Sequence, residues 1–190
     1  PLVTGEFARV LNKKIKKVKP DILFIPSGGI LFSQLDVGVP IVSLFDATIK
    51  LLIDYYEGFS NAFAFSKKWA IKTNSLAIQK SSKIIYCSEW AAESAIKEYG
   101  CEKKKIHVIP FGANMDTAPS AAELFSHRKE AKGPCKLLFV GVDWVRKGGK
   151  LALDTMIELN RRGLDTELIV CGCIPPKEAR HEKLRIAGFL

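Results

Sequence analysis

An arginine and a lysine stand side by side in the stretch LFVGVDWVRKGGKLALD, residues 138–154. Arg146 and Lys147 separate an apolar segment of strand character from an apolar-striped segment of helix character. A guanidinium group binds a phosphate through two parallel hydrogen bonds, and an ammonium group acts as a mobile point charge. Peptide N–H groups at the start of a helix also attract anions. The pattern therefore predicts a site for a phosphate or diphosphate group.

This turn matches neither of the two common phosphate-binding motifs. No Ser or Thr follows Lys147 in a G-x-x-x-x-G frame, which excludes a Walker A loop, and G-x-G-x-x-G is absent. Gly141 permits close backbone approach, and Gly148 lies near the start of the next helix, so both favour anion binding. On these residues alone, a solvated connection whose cations happen to precede a helix is an equal alternative.

The strand and the helix around the turn belong to an alternating series. Short, continuously apolar segments of this kind form strands of parallel sheets, and helical patterns separate them. We therefore predict an α/β fold with two Rossmann-like parallel-sheet domains, both incomplete in this chain. The predicted strands are DILFIP, VPIVSLFD, KIIYC, KIHVIP, CKLLFVG and TELIVCG, and the predicted helices are residues 6–18, about 61–81, 88–100 and the stretch KLALDTMIELNRRG.

Local signals define the helix ends and the domain boundary. Ser88 is a good N-cap with Glu89 in the first turn, and Gly100 is a typical helix-stopping residue. The composition shifts to Ala, Pro, Ser, Lys and Glu between the two series. The predicted organisation is a domain at 1–110, a linker or hinge at 111–134, and a second domain at 135–190.

The formal net charge of +9 arises partly from a lysine cluster in the first helix. We expect its apolar stripe to face the core, with the lysines opposite. Such lysines suit phosphates or an anionic membrane surface, and a solvated helix face is the alternative. No aromatic residues alternate with them, so nucleic acid is not expected. The cluster is Lys13, Lys14, Lys16, Lys17 and Lys19, and the stripe is Phe7, Val10, Leu11, Ile15 and Val18.

Composition limits the other classes of function. No apolar run approaches the roughly 18 residues of a membrane span. The five cysteines include no C-x-x-C pair, so neither a disulfide framework nor a zinc site is expected. Cys171 and Cys173 are interpreted as small buried residues in a reducing compartment. We expect a cytoplasmic protein without a metal, with attachment to the inner face of a membrane as a second expectation.

Taken in order, three stretches resemble the family-4, group 1 glycosyltransferases. They cover roughly residues 83–173 and consist of KIIYCSEWAAESAIKEYG with KIHVIPFGAN, then LLFVGVDWVRKGGKLALD, then TELIVCG. An earlier stretch, PIVSLFDATIKLLIDYYEGFSN, resembles a cleft-facing segment of one subfamily. The resemblance implies retaining enzymes of the GT-B type, whose two Rossmann-like domains face each other across a cleft.

The resemblance also assigns roles along the chain. Residues 1–110 would be the later part of the acceptor-side domain, and residues 135–190 the first part of the donor-binding domain. A hexosyl group would pass from a nucleoside-diphosphate sugar, which is a substrate and not a cofactor, to an unknown sugar or lipid-linked acceptor. Lys147 matches the family lysine before glycine. The family arginine after the strand glycine is Val142 here, and we hypothesise that Arg146 supplies part of its charge.

The remaining candidate residues follow from the same resemblance. Asp46 follows a strand at a place where many members carry a histidine one residue earlier, and it would contact a sugar. Capping of the next helix is the alternative for Asp46. Gly112 and Asn114 would belong to the turn and hinge after a strand and would help to bind the substrate. Asp143 would contact the donor or position Arg146 through a local ion pair.

One family motif, a pair of glutamates with seven residues between them, has no match after Gly172. Both chain ends look like cuts through a longer protein, so we expect the longer enzyme to be active and this stretch alone to be inactive. Two alternatives stay open. One is a nucleotide-sugar epimerase of the same architecture, and the other is a non-catalytic, glycosyltransferase-like binding protein.

Overall fold

The computed structural model describes residues 2–27, 29–126 and 133–189. The chain divides into two compact units, Pro1–Asn114 and Met115–Leu190, each with its own sheet and core. We refer to them as unit 1 and unit 2. Part of the predicted linker, residues 127–132, lies outside the described residues.

Unit 1 is an alternation of helices and short strands. Its four strands are all parallel and pair in the order β1-β2-β3-β4. A single 3₁₀ turn, Lys103–Lys105, precedes the last strand. The elements in chain order are α1 (Leu2–Val18), β1 (Leu23–Pro26), α2 (Gly29–Phe32), β2 (Ile41–Phe45), α3 (Ile49–Tyr55), α4 (Glu57–Ser60), α5 (Ala64–Lys80), β3 (Lys83–Tyr86), α6 (Glu89–Tyr99) and β4 (Ile106–Val108).

The core of unit 1 lies on one face of this sheet. Burial alternates along β2, where the first, third and fifth residues are buried, as expected when side chains point to opposite faces in turn. Phe45 at the end of β2 stacks on Phe32, with ring centroids 6.3 Å apart. Ser43, although polar, is fully buried because its hydroxyl meets that of Ser81 at 2.7 Å.

Unit 2 repeats the pattern with fewer elements. They are α7 (Ala121–Ser126), β5 (Cys135–Val140), α8 (Gly149–Arg161), β6 (Thr166–Cys171) and β7 (Leu184–Gly188). The three strands are parallel and pair in the order β5-β6-β7. Met156 of α8 packs onto Leu168 and Val170 of β6, and all three side chains are buried.

The first helix departs from its predicted orientation. The expected buried stripe included Phe7, Val10 and Val18, yet these side chains are 40–72% exposed. Ala8 instead is buried, and Leu11 and Ile15 of the predicted stripe are half-buried against the core. The small side chain of Ala8 allows the helix to lie close to the core, which turns the larger residues toward its flank. The first helix is real, but its predicted inward face was partly wrong.

The lysine cluster lies on the outer side of this helix. Lys13, Lys14, Lys16 and Lys17 are all exposed, so their charges face solvent. Contact of these lysines with an anionic membrane stays a prediction. No helix in the described ranges is long and apolar enough to cross a bilayer.

Candidate functional site

The cationic turn of unit 2 connects β5 to α8 and lies at the carboxyl end of the parallel sheet. Gly141 follows β5 directly, and its N–H donates to the carbonyl of Cys171 at the end of β6 (3.0 Å). A Cβ at Gly172 would lie 3.1 Å from the Gly141 carbonyl oxygen, so the two strand ends approach closely through backbone alone. Ligands of open α/β sheets bind at this edge.

Asp143 holds Arg146 in place from within the turn. Its carboxylate accepts a hydrogen bond from the Arg146 backbone N–H at 3.0 Å and pairs with the guanidinium Nε at 3.3 Å. The backbone hydrogen bond, with the guanidinium adding to it, holds the pKa of Asp143 below its ordinary value. The positioning ion pair considered from the sequence is therefore present. The Arg146 side chain is still 40% exposed, so it can reach a ligand.

Lys147 is oriented by its aliphatic stem. A Cβ at Gly141 would meet Cγ and Cβ of Lys147 at 3.2 and 3.3 Å, which means that the stem lies against the Gly141 backbone. The residue is exposed, and its ammonium makes no ion pair or hydrogen bond with any part of the chain that the structure describes. This cation is available to an anion.

Trp144 forms the floor of the turn, a role that the sequence did not reveal. Its ring is buried and packs on Phe139 of β5, with centroids 5.4 Å apart. A Cβ at Gly149 would lie 2.2 Å from the Trp144 ring, so the second glycine of the pair is needed for this contact. Gly148 has a different task, because its φ of +79° lies in the left-handed region that favours glycine.

Helix α8 begins without a side-chain cap. Its N-cap is Gly148, which provides no side-chain acceptor for the first peptide N–H groups. One of them, the Gly149 N–H, donates to the Trp144 carbonyl at 2.7 Å. The remaining N–H groups of the first turn and the helix dipole favour an anion here. Arg146, Lys147 and the helix start thus contribute positive potential to one turn.

The two cysteines behind the turn have no metal-binding arrangement. Cys171 and Cys173 are both buried and free, and burial raises the pKa of Cys173, with the carboxylate of Asp143 adding to that effect. Among the described residues, no group of His, Cys, Asp and Glu side chains is arranged to hold a metal ion. Of the other cysteines, Cys101 is buried, Cys87 is half-buried and Cys135 is exposed.

Unit 1 has a cavity of about 390 Å³ at the carboxyl ends of β1 and β2. Asp46 lies on its wall directly after β2, together with Ser27 and Asn74 and the apolar side chains of Ile49 and Leu52. The Asp46 carboxylate is exposed and accepts a hydrogen bond from the Ala47 N–H at 2.9 Å. Among the described residues, the cavity therefore combines an apolar wall with one carboxylate, that of Asp46.

The alternative role of Asp46 as a helix cap is wrong. Thr48 is the N-cap of α3, and its hydroxyl accepts from the Leu51 N–H. The same hydroxyl lies 2.7 Å from that of Ser94, a contact that locks the start of α3 to α6. A Thr before an apolar helical run is a recognisable start signal, so the sequence did contain this information.

Gly112 and Asn114, two further predicted site residues, do not line this cavity, whereas Phe45 does. Phe45, at the place where many family members carry histidine, is a buried core side chain. Gly112 and Asn114 lie on an exposed segment after β4, at the end of unit 1. Open space surrounds the Cα of Gly112, and its φ is not in the left-handed region, so the backbone does not require glycine there.

Together the two units define a chain of parallel α/β units with polar sites at the carboxyl ends of their strands. The family model described as Glycosyltransferase Family 4 matches residues 1–117, which is more than half of the chain, and the chain belongs to this family. The match ends before the cationic turn, whose role therefore depends on its own geometry. A search of curated proteins finds no match to the sequence.

Solved structures share the fold. The crystal structure of TarM is similar over 94% of this chain and 35% of its own, with a TM-score of 0.61 and 13% identity. A glycosyltransferase from Rickettsia africae ESF-5 is similar over 100% of this chain and 52% of its own, with a TM-score of 0.59 and 18% identity. The chain thus spans about half or less of each. The predicted fold class, two Rossmann-like parallel-sheet domains of the GT-B type, is confirmed.

Proposed function

We propose that the protein is a glycosyltransferase that moves a hexosyl group from a nucleoside-diphosphate donor to an acceptor with retention of configuration. The observation that carries the proposal is the turn between β5 and α8. There, Arg146 is held by Asp143, Lys147 lies across Gly141, and an uncapped helix begins. Membership of a glycosyltransferase family supports the reaction class.

The proposed chemistry uses these cations on the leaving group. When the bond between the anomeric carbon and the diphosphate oxygen breaks, the electron pair stays on the diphosphate and its negative charge increases. Fixed positive groups that bind this charge more strongly in the transition state lower the barrier. Loss of one such contact costs about 2.7–4 kcal/mol on the scale of oxyanion-hole deletions. Arg146 and Lys147 provide this contact.

In this proposal, the cavity of unit 1 binds a sugar. The Asp46 carboxylate accepts a hydrogen bond from a sugar hydroxyl at the cavity wall, and the apolar wall excludes water around it. We assign no cofactor to the reaction, because the nucleotide sugar brings its own leaving group.

Titration calorimetry of this chain with inorganic pyrophosphate and with UDP tests the donor site. We expect Arg146→Ala and Lys147→Ala each to lower the affinity for both ligands at least tenfold, which is about 1.4 kcal/mol. In the protein at its full length, each variant should lower the transfer rate at least tenfold without unfolding it.

Lys150→Ala is the matched control. It removes one positive charge from the first turn of the same helix, but Lys150 pairs with Asp154 at 2.6 Å and lies outside the connection itself. Its affinity should stay within twofold of wild type. Equal losses in all three variants would mean that only net charge matters, and unchanged affinity in the first two would contradict the donor site.

A further inference from the structure

Four aromatic side chains of unit 1 lie together where α3 and α4 meet the first turn of α6. We call Tyr55, Tyr56, Phe59 and Trp90 the aromatic cluster. Ring centroids are 5.0 Å apart for Tyr55 and Tyr56, 5.9 Å for Tyr55 and Trp90, and 6.4 Å for Tyr56 and Phe59. The ring planes of Tyr55 and Trp90 are tilted by 59° to each other, so the faces of the two rings point in different directions.

The aromatic cluster is exposed although its members contact each other. Tyr55 is 68% exposed, Trp90 51% and Phe59 42%, and none of the four belongs to the buried core of unit 1. Grouped aromatic rings that remain in water mark a surface that binds something, because covering them is favourable.

The aromatic cluster adjoins the cavity that contains Asp46 through helix α3, although its four residues do not line the cavity. Leu52 of α3 lines that cavity, and Tyr55 follows it one helical turn later, whereas Tyr56 is the extended residue that ends the helix. Trp90 joins from α6, whose N-cap Ser88 fixes the first turn by accepting from the Ala91 N–H. A molecule whose end occupies the cavity would therefore lie over these rings.

The charges around the rings select the kind of molecule. Glu57 and Glu89 are exposed and adjoin Tyr56 and Trp90 in the chain, and the Glu57 carboxylate accepts from the Asn61 amide at 3.3 Å. The Lys67 ammonium also lies here, but it is held by the Ser60 carbonyl at 2.9 Å, at the end of α4. Carboxylates disfavour an anionic lipid surface or a phosphate at this place. They favour a neutral ligand rich in O–H donors. A ligand with an apolar C–H face and hydroxyl edges is a saccharide.

We propose that the aromatic cluster is an outer acceptor subsite, where a sugar ring of an oligosaccharide stacks on Trp90 and Tyr55. This inference rests on the proposed function, since it names the acceptor class for the same site. The terminal sugar occupies the cavity at Asp46, and the preceding sugar covers the aromatic cluster. The acceptor is therefore longer than a monosaccharide.

An array of immobilised mono- and oligosaccharides of glucose, galactose, mannose and N-acetylglucosamine tests this assignment on the chain. We expect wild type to retain at least one oligosaccharide and to bind the matching monosaccharide at least tenfold more weakly in titration calorimetry. Trp90→Ala should lower the affinity for that oligosaccharide at least tenfold, and Trp90→Phe, which keeps a ring, should lose less.

Phe65→Ala is the control, because Phe65 is 73% exposed in the same part of the chain but makes none of the ring contacts of the aromatic cluster. Its affinity should stay within twofold of wild type, and thermal unfolding should show that all variants are folded. Retention of no oligosaccharide, or equal affinity in Trp90→Ala, overturns the proposal. Binding to phosphatidylglycerol vesicles that Trp90→Ala abolishes would also overturn it, in favour of a membrane.

UDP titrations of the same samples separate this inference from the proposed function. UDP affinity should be equal in wild type and all three variants, because the cationic turn is unchanged. A wild-type chain that binds the oligosaccharide but neither UDP nor inorganic pyrophosphate contradicts the donor site of the proposed function and leaves a saccharide-binding surface. A chain that binds UDP but no oligosaccharide contradicts the acceptor subsite and leaves the proposed donor site in place.

Discussion

Helices at the carboxyl ends of the two sheets begin in different ways. In unit 1, α3 and α6 start with hydroxyl caps, Thr48 and Ser88, which accept hydrogen bonds from the first turns. In unit 2, α8 starts at Gly148 without such a cap, and two cations precede it. A cap satisfies the peptide groups that an anion would use, and this difference supports our proposal of a neutral sugar-type site in unit 1 and an anion site in unit 2.

A second contrast concerns an aromatic ring that lies on a glycine in each unit. Phe45 covers Gly29 in unit 1, where a Cβ would meet the ring at 2.6 Å, and Trp144 covers Gly149 in unit 2 at 2.2 Å. Phe45 also borders the 390 Å³ cavity, so its ring has space to move. Trp144 packs on Phe139, and a Cβ at Gly149 would meet the middle of its ring system, whereas a Cβ at Gly29 would meet the outer edge of the Phe45 ring.

The largest expected effect on stability tests the difference between the two rings that cover a glycine. Gly149→Ala should lower the free energy of unfolding by about 3 kcal/mol, the upper end of typical overpacking, and Gly29→Ala by about 1 kcal/mol. Urea unfolding followed by circular dichroism measures both. Gly58→Ala is the control, since its Cβ would meet nothing within 4 Å. Equal losses for the two buried positions would contradict the difference between the rings.

A smaller effect tests the caps. Ser88→Ala should lower the free energy of unfolding by about 1 kcal/mol, because the Ala91 N–H loses its acceptor. The affinity for pyrophosphate should not change, since Ser88 belongs to unit 1 and the cationic turn belongs to unit 2. Gly148→Ala should cost about 1–2 kcal/mol through its left-handed φ and should also weaken pyrophosphate binding. If Ser88→Ala weakened pyrophosphate binding as much, the division of roles between the units would be wrong.

The smallest effect concerns pH. Since the folded protein lowers the pKa of Asp143, the carboxylate contributes stability above its unfolded pKa of about 4, and this contribution disappears as the pH falls through the lowered value. The stability difference between wild type and Asp143→Asn should therefore be constant from pH 5 to 8 and shrink below pH 4. Urea midpoints at each pH measure it. A difference that grew on acidification would show that the ion pair is not the cause.

Much of the fold could be predicted because its elements carry strong local patterns. The apolar runs of β2, β3, β5 and β6 and the signals at Ser88 and Gly100 correspond to observed strands, a cap and a left-handed helix end. The four-residue helices α2 and α4 were missed, since one turn is too short to show a helical period. Strand β7, with the sequence LRIAG, was missed because its apolar character is weak.

The candidate sites were predictable only in part. Adjacent charges and glycines revealed the turn, and its Asp143–Arg146 pair follows from i,i+3 spacing. The contact of Trp144 with Gly149 depends on how the chain folds back, which composition does not show. The aromatic cluster joins α3 to a residue more than thirty positions later in α6, and such long-range contacts leave no local pattern.

One thiol can be labelled to measure ligand binding at the cationic turn. Cys135 is exposed at the first position of β5, whereas the cationic turn follows the last position of that strand. Six strand residues separate the two by about 20 Å at roughly 3.3 Å per residue. A maleimide dye at Cys135 would therefore sit at the opposite rim of the sheet, close enough for energy transfer from a labelled nucleotide and too far to obstruct its entry.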